Sequence, residues 1–300
     1  SRFSCTVFWQ SEVFFMITLN NGVLKVLIDE MGAQIRSVEK EEKEYMWQAD
    51  PQIWKATAPL MFPICGGLKD DKFIYEGKEY ILPKHGFGRN MLFTVESADD
   101  TSAVFCLKAN EESRKMYPFE FELRLIYGIK GDALTLTYEV KNAGDNTMYF
   151  AIGSHEAYYT PEGIEDYDIV FPQKETLNSV MVDGNLLQDH TLPIIKESNV
   201  LPLYDKYFLV DCLLFKEVKS KSCVLRNRRK GKSIRVDFPD AAYLVLWHPH
   251  GAPFICIEPW TGIPDDFHSD YNLAHKEGIT ALNAGEVYRN VHTITYIGEE

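Results

Sequence analysis

The sequence lacks long hydrophobic runs and has too few basic residues to balance its acids. No apolar stretch reaches the roughly 18–20 residues that a membrane-spanning helix needs. The 31 Lys and Arg residues against 44 Asp and Glu residues give a formal net charge of −13. Nucleic acids and anionic membrane surfaces both bind through basic patches, so this balance disfavours both partners. We therefore expect a neutral or weakly charged ligand.

Several nucleotide and nucleophile motifs are absent as well. The chain has no G-x-G-x-x-G fingerprint, no P-loop and no G-x-S-x-G elbow. The first motif binds dinucleotides, the second binds nucleoside triphosphates, and the third presents a nucleophilic serine. The sequence therefore predicts neither a nucleotide cofactor nor a serine hydrolase of the elbow type.

Cysteine is sparse and scattered, and no C-x-x-C pair occurs. The six cysteines are Cys5, Cys65, Cys106, Cys212, Cys223 and Cys256. Several lie inside apolar runs, where a free cysteine behaves as a small hydrophobic residue. This usage predicts a reducing compartment, no disulfide framework and a cytoplasmic location.

What the sequence does have is alternation of apolar and polar residues with a period of two. In "FEFELRLIYGI" (119–129) and "ALTLTYEV" (133–140), apolar side chains alternate with charged residues or threonine. Similar runs recur between Gly, Asn and Asp turns, as in "SIRVDF" and "YLVLWH". Many short strands at close spacing predict an all-β antiparallel sandwich or barrel with few short helices.

The first fifteen residues differ from the rest. "SRFSCTVFWQSEVFF" precedes Met16, and a strand–turn–strand pattern starts there. The segment has no small-residue cleavage site, so it is a poor signal peptide. We expect residues 1–15 to be an added or upstream extension and residues 16–300 to form one domain without a linker. The alternative is that residues 1–15 form an extra edge strand.

One strand carries an acid at an interior-looking position. In "PFICIEPWTGIPDD" (253–266), a period of two puts Glu258 on the same face as Phe254 and Cys256. An unpaired carboxylate buried there would cost several kcal/mol or shift its pKa. Either neighbouring groups compensate Glu258, or it lies in a polar cleft.

Two histidines could act with that acid. His85 and His155 each lie within two residues of a glycine, near the end of a strand-like run. A lone histidine of this kind is more often structural, but two of them with Glu258 make a credible acid/base set. His248 and His250 have a spacing that a metal could use, yet no third ligand is evident and a polar turn is the simpler interpretation.

Three segments, in this order, carry a family resemblance. They are "PLMFPICGGLKDDKFIYEGKEYILPKHGFGRNMLF", "AIGSHEAYY" and "PFICIEPWTGIPD". Together they resemble the aldose 1-epimerase (galactose mutarotase) family, and most closely its bacterial mutarotase-like branch. The resemblance runs from about Met16 to the C-terminal "TITYIG", and "HGFGR" matches the family's H-G-F-A-R element.

The resemblance implies a large antiparallel β-sandwich, the galactose mutarotase-like supersandwich, with a monosaccharide in an open cleft. It implies interconversion of α and β anomers without cofactor or metal. Glu258 takes the place of the general base at the C1 hydroxyl, and His155 that of the acid at the ring oxygen. His85 matches a second histidine that holds the sugar. Arg89 of "HGFGR" and Trp260 are expected to contact the sugar.

Some positions depart from the family pattern. Gly67 stands where the family commonly has an arginine. Lys69, two residues further on, is expected to bind the substrate in place of that arginine. A lysine cannot reproduce the bidentate guanidinium contact. The substrate-binding aspartate is best matched by Asp211, with Asp205 as the second choice.

Other features leave alternatives open. Glu156 replaces a family proline after His155, where it would raise the pKa of His155 or point to solvent. Phe87 and Tyr158, beside the motif residues, form either a sugar platform or core. The basic segment 225–236 is either a phosphate clamp or, the favoured interpretation, a hairpin tip; its basic residues include Arg226, Arg228, Arg229, Lys230 and Lys232.

The sequence therefore predicts a cofactor-independent aldose 1-epimerase that acts on a free hexose, as a monomer or homodimer. One alternative is a hexose-6-phosphate 1-epimerase, and another is a non-catalytic carbohydrate-binding or regulatory protein on the same fold. A glycoside-processing enzyme would need two acids about 5–10 Å apart. The sequence offers only one strong candidate.

Overall fold

The computed structural model describes residues 15–229, 231 and 233–298. Strands make up 53% of it and helices 9%, which confirms the all-β fold with few short helices. The predicted extension at residues 1–15 lies, apart from Phe15, outside the described residues. In the described part of the chain, no helix has the length and apolar character needed to span a membrane.

The strands are numbered in chain order. Within the described residues they are β1 (Met16–Asn20), β2 (Leu24–Asp29), β3 (Gln34–Lys40), β4 (Lys43–Glu44), β5 (Lys72–Tyr75), β6 (Lys78–Ile81), β7 (Thr94–Ala98), β8 (Ser102–Lys108), β9 (Phe121–Lys130), β10 (Ala133–Asn142), β11 (Met148–Phe150), β12 (Ala157–Tyr159), β13 (Tyr167–Asp183), β14 (Leu186–Pro202), β15 (Cys212–Phe215), β16 (Ser222–Asn227), β17 (Ser233–Asp237), β18 (Tyr243–Trp247), β19 (Phe254–Trp260), β20 (Thr280–Leu282) and β21 (Val287–Ile297).

Helical structure is confined to short segments. The described α-helix is α1 (Glu111–Met116), and the 3₁₀ turns are Lys69–Asp71, Gly88–Asn90, Ile164–Asp166, Asp205–Val210 and Leu273–His275. These segments have three to six residues each, which agrees with the prediction of few short helices.

The strands form one large sheet, one small sheet and two hairpin-sized pairs. The thirteen-stranded sheet has the order β12-β19-β18-β15-β13-β16-β17-β21-β10-β9-β8-β7, with β14 paired to β13. Strands β1 to β4 form the four-stranded sheet, while β11 pairs with β20 and β5 with β6. This order puts β19, the strand of "FICIEPW", next to β12 at one end of the large sheet.

The core lies between the two larger sheets. In β9 and β10 alternate side chains are buried, as their period of two predicts. Val26 and Ile28 of the small sheet belong to the same hydrophobic cluster as Leu134 and Leu136 of the large sheet. Apolar faces of two sheets that meet in one core define a β-sandwich.

A long hairpin interrupts the regular pattern. Strands β13 and β14 have 17 residues each and are joined through Gly184 and Asn185, both with positive φ. Positive φ at both central residues is the geometry of a tight hairpin turn. The pairing contains several register shifts, so this hairpin shows no clean alternation. The sequence did not predict it.

The basic segment is a hairpin between β16 and β17, and its described arginines are paired with acids. Arg226 Nη2 lies 2.9 Å from Asp168 Oδ2, and Arg229 Nε lies 2.9 Å from Asp166 Oδ1. Arg228 lies near the same Asp168. Lys230 and Lys232 lie outside the described residues. The favoured interpretation, a charged hairpin tip, agrees with these pairs.

The cysteines within the described residues are free thiols, as predicted. They are Cys65, Cys106, Cys212, Cys223 and Cys256. Cys5 lies outside the described residues.

We expect the Asn110→Ala variant to lose about 1 kcal/mol of unfolding free energy. Asn110 Oδ1 accepts a hydrogen bond from Ser113 N at 2.9 Å, and Ser113 Oγ accepts one from Asn110 N at 2.9 Å. This capping box satisfies backbone donors at the start of α1, and alanine removes half of it. Urea denaturation followed by circular dichroism measures the change. The exposed Asn178 of β13, changed to alanine, serves as control; equal midpoints for both variants would contradict the expectation.

Candidate active site

Glu258 lies on β19, and all seven residues of this strand are buried. Its neighbours in the sheet are β18, where Val245 pairs with Glu258, and β12, where Ala157 pairs with Cys256. The side chain of Glu258 is 1% exposed. The strand therefore does carry a carboxylate into the interior, as the alternation predicted.

The chain before β12 brings His155 opposite that carboxylate. Gly153 bridges to Trp260, and Ala157 pairs with Cys256 in the same antiparallel register. His155 is midway between Gly153 and Ala157, so it lies directly across from Glu258. The distance from His155 Nδ1 to Glu258 Oε1 is 3.5 Å.

His85 approaches from a different loop in an unusual backbone conformation. Its φ is 65°, a left-handed value that is uncommon for a residue other than glycine and typical of functional sites. The backbone N–H of Gly66 donates to His85 Nδ1 at 3.0 Å. Since Nδ1 accepts this bond, the ring proton of the neutral imidazole sits on Nε2. The rings of His85 and His155 are 5.8 Å apart.

Arg89 brings a guanidinium group whose hydrogen-bonding capacity is largely unused. Its Nε and Nη2 are buried and have no hydrogen-bond partner in the described structure. Burial lowers the pKa of Arg89 to about 10, so the group stays charged at neutral pH. A buried donor without a partner is rare and calls for a ligand or solvent.

These side chains meet in one cavity of about 260 Å³. This is slightly below the roughly 300–1,000 Å³ of sites for drug-sized ligands, and suits a smaller molecule such as a monosaccharide. Six of the seven predicted site residues line it: Glu258, His155, His85, Asp211, Arg89 and Trp260. Asp211 is itself strained, with φ 87° and ψ −92°.

Burial controls the protonation of the central pair. It raises the pKa of Glu258 well above its ordinary value, while the indole N–H of Trp260, 3.1 Å from Oε2, opposes this. Burial, and then the charge of Arg89, lowers the pKa of His155 well below its usual range. Burial thus favours the uncharged form of each group. Moving a proton from His155 to Glu258, or back, leaves the total charge of the pair unchanged, so the two groups can serve as one acid and one base.

His85 has a similar environment. Burial, and then the charges of Arg89 and His155, lowers its pKa well below the usual value. It is therefore a neutral hydrogen-bond donor at Nε2 under neutral conditions.

Both expectations for Glu156, a solvent-facing side chain and a raised pKa of His155, were wrong. Glu156 neither points to solvent nor raises the pKa of His155, because its side chain turns into the core and is 2% exposed. Its Oε1 lies 2.9 Å from His292 Nε2, on β21. From this position its charge contributes to the raised pKa of Glu258.

Three other predicted residues lie elsewhere. Lys69 does not line the cavity, and its Nζ lies 3.3 Å from the carbonyl of Ser269. Phe87 and Tyr158 are fully packed in the main hydrophobic core, so the core alternative holds for both.

The second-choice aspartate, Asp205, is engaged away from the cavity. Its Oδ1 lies 2.8 Å from His248 Nε2, and its other oxygen contacts His250. Backbone N–H of Gly251 also donates to it. The H-x-H segment is thus a polar turn held by an aspartate, which agrees with the simpler of the two interpretations.

The missing family arginine has a local explanation. A Cβ added at Gly67 would lie 3.0 Å from Asn185 Cβ, so a neighbour from the β13–β14 turn occupies that space. Asn185 itself lines the cavity and accepts a hydrogen bond from Lys84 Nζ at 2.8 Å. In this chain the cavity's guanidinium comes from Arg89.

Sequence reasoning missed two tryptophans of the site. Trp54 and Trp247 line the cavity, with ring centroids 5.1 Å and 5.4 Å from that of His155. Trp247 shares a strand face with Val245, the partner of Glu258, so the β18–β19 register would have revealed it. Trp54 lies in a loop and gave no periodic signal.

A second cavity of about 290 Å³ lies in the 264–277 segment. Most of its lining side chains are acids and histidines; His275 pairs with Asp270 at 2.7 Å, and Asp265 accepts from Lys276 Nζ at 2.8 Å. None of the predicted catalytic residues lies there.

Comparison with known proteins agrees with this fold. The family model described as aldose 1-epimerase matches residues 16–295. A protein named LacX, plasmid, from Lactococcus lactis subsp. lactis is 35% identical over 297 residues, covering 94% of this chain and 99% of that protein.

Two solved structures are also similar. A galactose mutarotase related enzyme from Lactobacillus acidophilus has a TM-score of 0.89 and 35% identity, covering 94% of this chain and 97% of that one. A galactose mutarotase-like protein from Lactobacillus casei has a TM-score of 0.89 and 29% identity, covering 94% and 100%.

The fold is a large β-sandwich, and one of its cavities brings together the side chains of Glu258, His85 and His155. The chain belongs to the aldose 1-epimerase family, and that membership implies a carbohydrate epimerase at the level of the family. The resemblance carried by the three sequence segments is therefore confirmed.

We expect the Trp260→Phe variant to move the acid limb of the kcat/KM–pH profile up by about 1 pH unit. The indole N–H lowers the pKa of Glu258 by donating to its carboxylate. Without that donor the pKa rises, so the carboxylate protonates at a higher pH as the solution is acidified. Anomer interconversion measured across pH tests this shift.

Trp47→Phe is the matched control, because the Trp47 indole donates to the carbonyl of Trp54 and not to Glu258. An unshifted acid limb in Trp260→Phe, or an equal shift in the control, would contradict the assignment.

Proposed function

We propose that the protein is a cofactor-independent aldose 1-epimerase that interconverts the α and β anomers of a free hexose. The observation that carries this proposal is the placement of His155 directly across from Glu258, inside a cavity of monosaccharide size. Ring opening removes a proton from the C1 hydroxyl and supplies one to the neighbouring ring oxygen. Two facing groups, one able to take a proton and the other able to give one, match that requirement.

In the proposed reaction the Glu258 carboxylate takes the proton of the C1 hydroxyl. His155 gives a proton to the ring oxygen as the C1–O5 bond breaks, which leaves an open-chain aldehyde. Rotation about C1–C2 presents the other carbonyl face to the C5 hydroxyl. When the ring closes, His155 recovers the proton from O5 and Glu258 returns one to O1, so the enzyme is restored.

The other cavity residues are proposed to hold the sugar. His85 donates from Nε2, since its Nδ1 is occupied by the Gly66 N–H. Arg89 donates from Nε and Nη2, which have no partner in the described structure. Asp211 accepts from a hydroxyl at the rim, where its side chain is exposed. Trp54, Trp247 and Trp260 offer apolar ring faces.

A hexose 6-phosphate is the second candidate substrate, favoured by one observation. Lys84 and Arg89 both line the cavity, and Lys84 is exposed at its rim. Against it, the arginines near the β16–β17 turn are paired with Asp166 and Asp168 and do not line the cavity. We therefore favour the free sugar.

The test is polarimetry, together with NMR saturation transfer between anomers, on fresh α-D-glucose, α-D-galactose and their 6-phosphates. We expect faster equilibration than in buffer, with free sugars preferred. A preference for the phosphates that disappears in Lys84→Met would establish the second candidate instead. No acceleration with any aldose or aldose phosphate would overturn the enzyme proposal and favour a non-catalytic sugar-binding role.

A further inference from the structure

Cys256 lies beside the acid/base pair, and the proposed reaction does not use it. It is two residues before Glu258 on the same face of β19, paired with Ala157 on one side and Trp247 on the other. Its thiol is free and its side chain is fully buried.

The thiol forms a three-residue group with the pair. One nitrogen of His155, the sulfur of Cys256 and a carboxylate oxygen of Glu258 all lie within 4.8 Å of one another. A second observation points to a ligand at this place. His155 is 8% exposed, and its Nδ1 is buried with no hydrogen-bond partner in the described structure.

The chemistry of the three donors selects a class of cation. Thiolate, imidazole and carboxylate are the ligands of Zn²⁺, and three protein ligands with an open fourth position are usual at accessible zinc sites. Ca²⁺ and Mg²⁺ prefer oxygen donors, so a site with sulfur and nitrogen disfavours them. With zinc bonds of about 2.0–2.3 Å, the ligand atoms of a tetrahedral site lie about 3.5 Å from one another. The three donor atoms, now within 4.8 Å of one another, would therefore move closer together by roughly 1 Å when the ion binds.

The cavity gives the ion a way in. His155 and Glu258 line it, so a cation that enters meets these two donors before the buried sulfur. Cys212 lines the same cavity but does not belong to the three-residue group.

We propose that His155, Cys256 and Glu258 form a binding site for Zn²⁺, and that the bound ion inhibits the protein. Binding forms one bond each to nitrogen, sulfur and oxygen, and the thiol proton leaves to solvent. The ion is an inhibitor and not a cofactor, because it occupies the groups that would move protons. The inhibitory part rests on the proposed function, while binding itself does not.

Binding is tested first, without reference to activity. Co²⁺ is added to metal-free wild-type protein as a spectroscopic substitute, and the thiolate-to-cobalt charge-transfer absorption is recorded. Calorimetry then measures Zn²⁺ affinity. We expect the absorption band in the wild type and in Cys212→Ala, and its loss in Cys256→Ala, with Zn²⁺ affinity at least about 100-fold weaker.

Inhibition is tested second. We expect Zn²⁺ to stop anomer interconversion by the wild type and Cys212→Ala, and a chelator to restore it. Cys256→Ala is expected to keep its basal rate and resist Zn²⁺. Cys256→Ser serves as a second variant, and circular dichroism shows whether each variant is folded.

The outcomes separate the two proposals. Absence of the cobalt–thiolate band in the wild type, or wild-type Zn²⁺ affinity in a folded Cys256 variant, would overturn the zinc site. A wild type that binds Co²⁺ through Cys256 but never interconverts anomers would keep the site and overturn the proposed function.

Discussion

Glu258→Gln is expected to lower kcat/KM for anomer interconversion by about 10²–10⁴-fold, the usual contribution of a positioned general base. Glutamine keeps the size of the side chain and an oxygen that can accept from the Trp260 indole, but it cannot take a proton. NMR saturation transfer on glucose or galactose measures the change.

The same variant has a stability signature that separates catalysis from folding. Burial raises the pKa of Glu258 in the folded protein, so its ionised form costs stability once the pH exceeds the unfolded pKa. Below the unfolded value that cost is absent. We therefore expect Glu258→Gln to unfold at neutral pH with equal or higher free energy than the wild type.

Glu175→Gln is the matched control, because Glu175 is another buried acid that lies outside the cavity. It accepts hydrogen bonds from Ser220, at 2.7 Å from the backbone N–H and 2.6 Å from the hydroxyl. We expect it to lose stability and keep its turnover. Near wild-type activity in Glu258→Gln would remove Glu258 from the role of base.

His155→Asn is expected to have the second-largest effect, also a loss of about 10²–10⁴-fold in kcat/KM. Asparagine can still donate a hydrogen bond, but it cannot exchange a proton with the ring oxygen. Because the proposed reaction uses His155 and Glu258 together in one proton exchange, the double variant should lose little more than either single variant. His275→Asn, at an exposed histidine outside the cavity, is expected to leave the rate unchanged.

Additive losses in the double variant would argue against a coupled pair. A fully active His155→Asn variant would move the acid role to another group, with His85 as the first candidate because its ring is next to that of His155.

Several expectations followed from local pattern alone because their physics is local. Alternation in β9 and β10 predicted which side chains are buried, since successive strand residues point to opposite faces. The same rule placed Cys256 and Glu258 on one face of β19. The two glycine-flanked histidines were selected by residue type and position.

Other expectations failed because they depended on packing between distant segments. Lys69 was chosen by its distance along the chain from Gly67, yet its amine turns to Ser269. The expectation for Glu156 came from its position next to His155 in the sequence. Alternation instead turns the Glu156 side chain to the opposite side, where His292 is its partner. Neither Ser269 nor His292 is near these residues in sequence.

The sequence by itself determined the strand pattern and the all-β class, because side-chain type and period of two are local properties. It also selected Glu258, His85 and His155 as candidates, by residue type and by family resemblance. Only the tertiary structure decided that β12 and β19 align so that His155 faces Glu258. It also decided that Trp54 and Asn185 line the same cavity, and that the sulfur of Cys256 lies within 4.8 Å of donor atoms of His155 and Glu258. These are distances between strands and loops far apart in the chain, and register and packing set them.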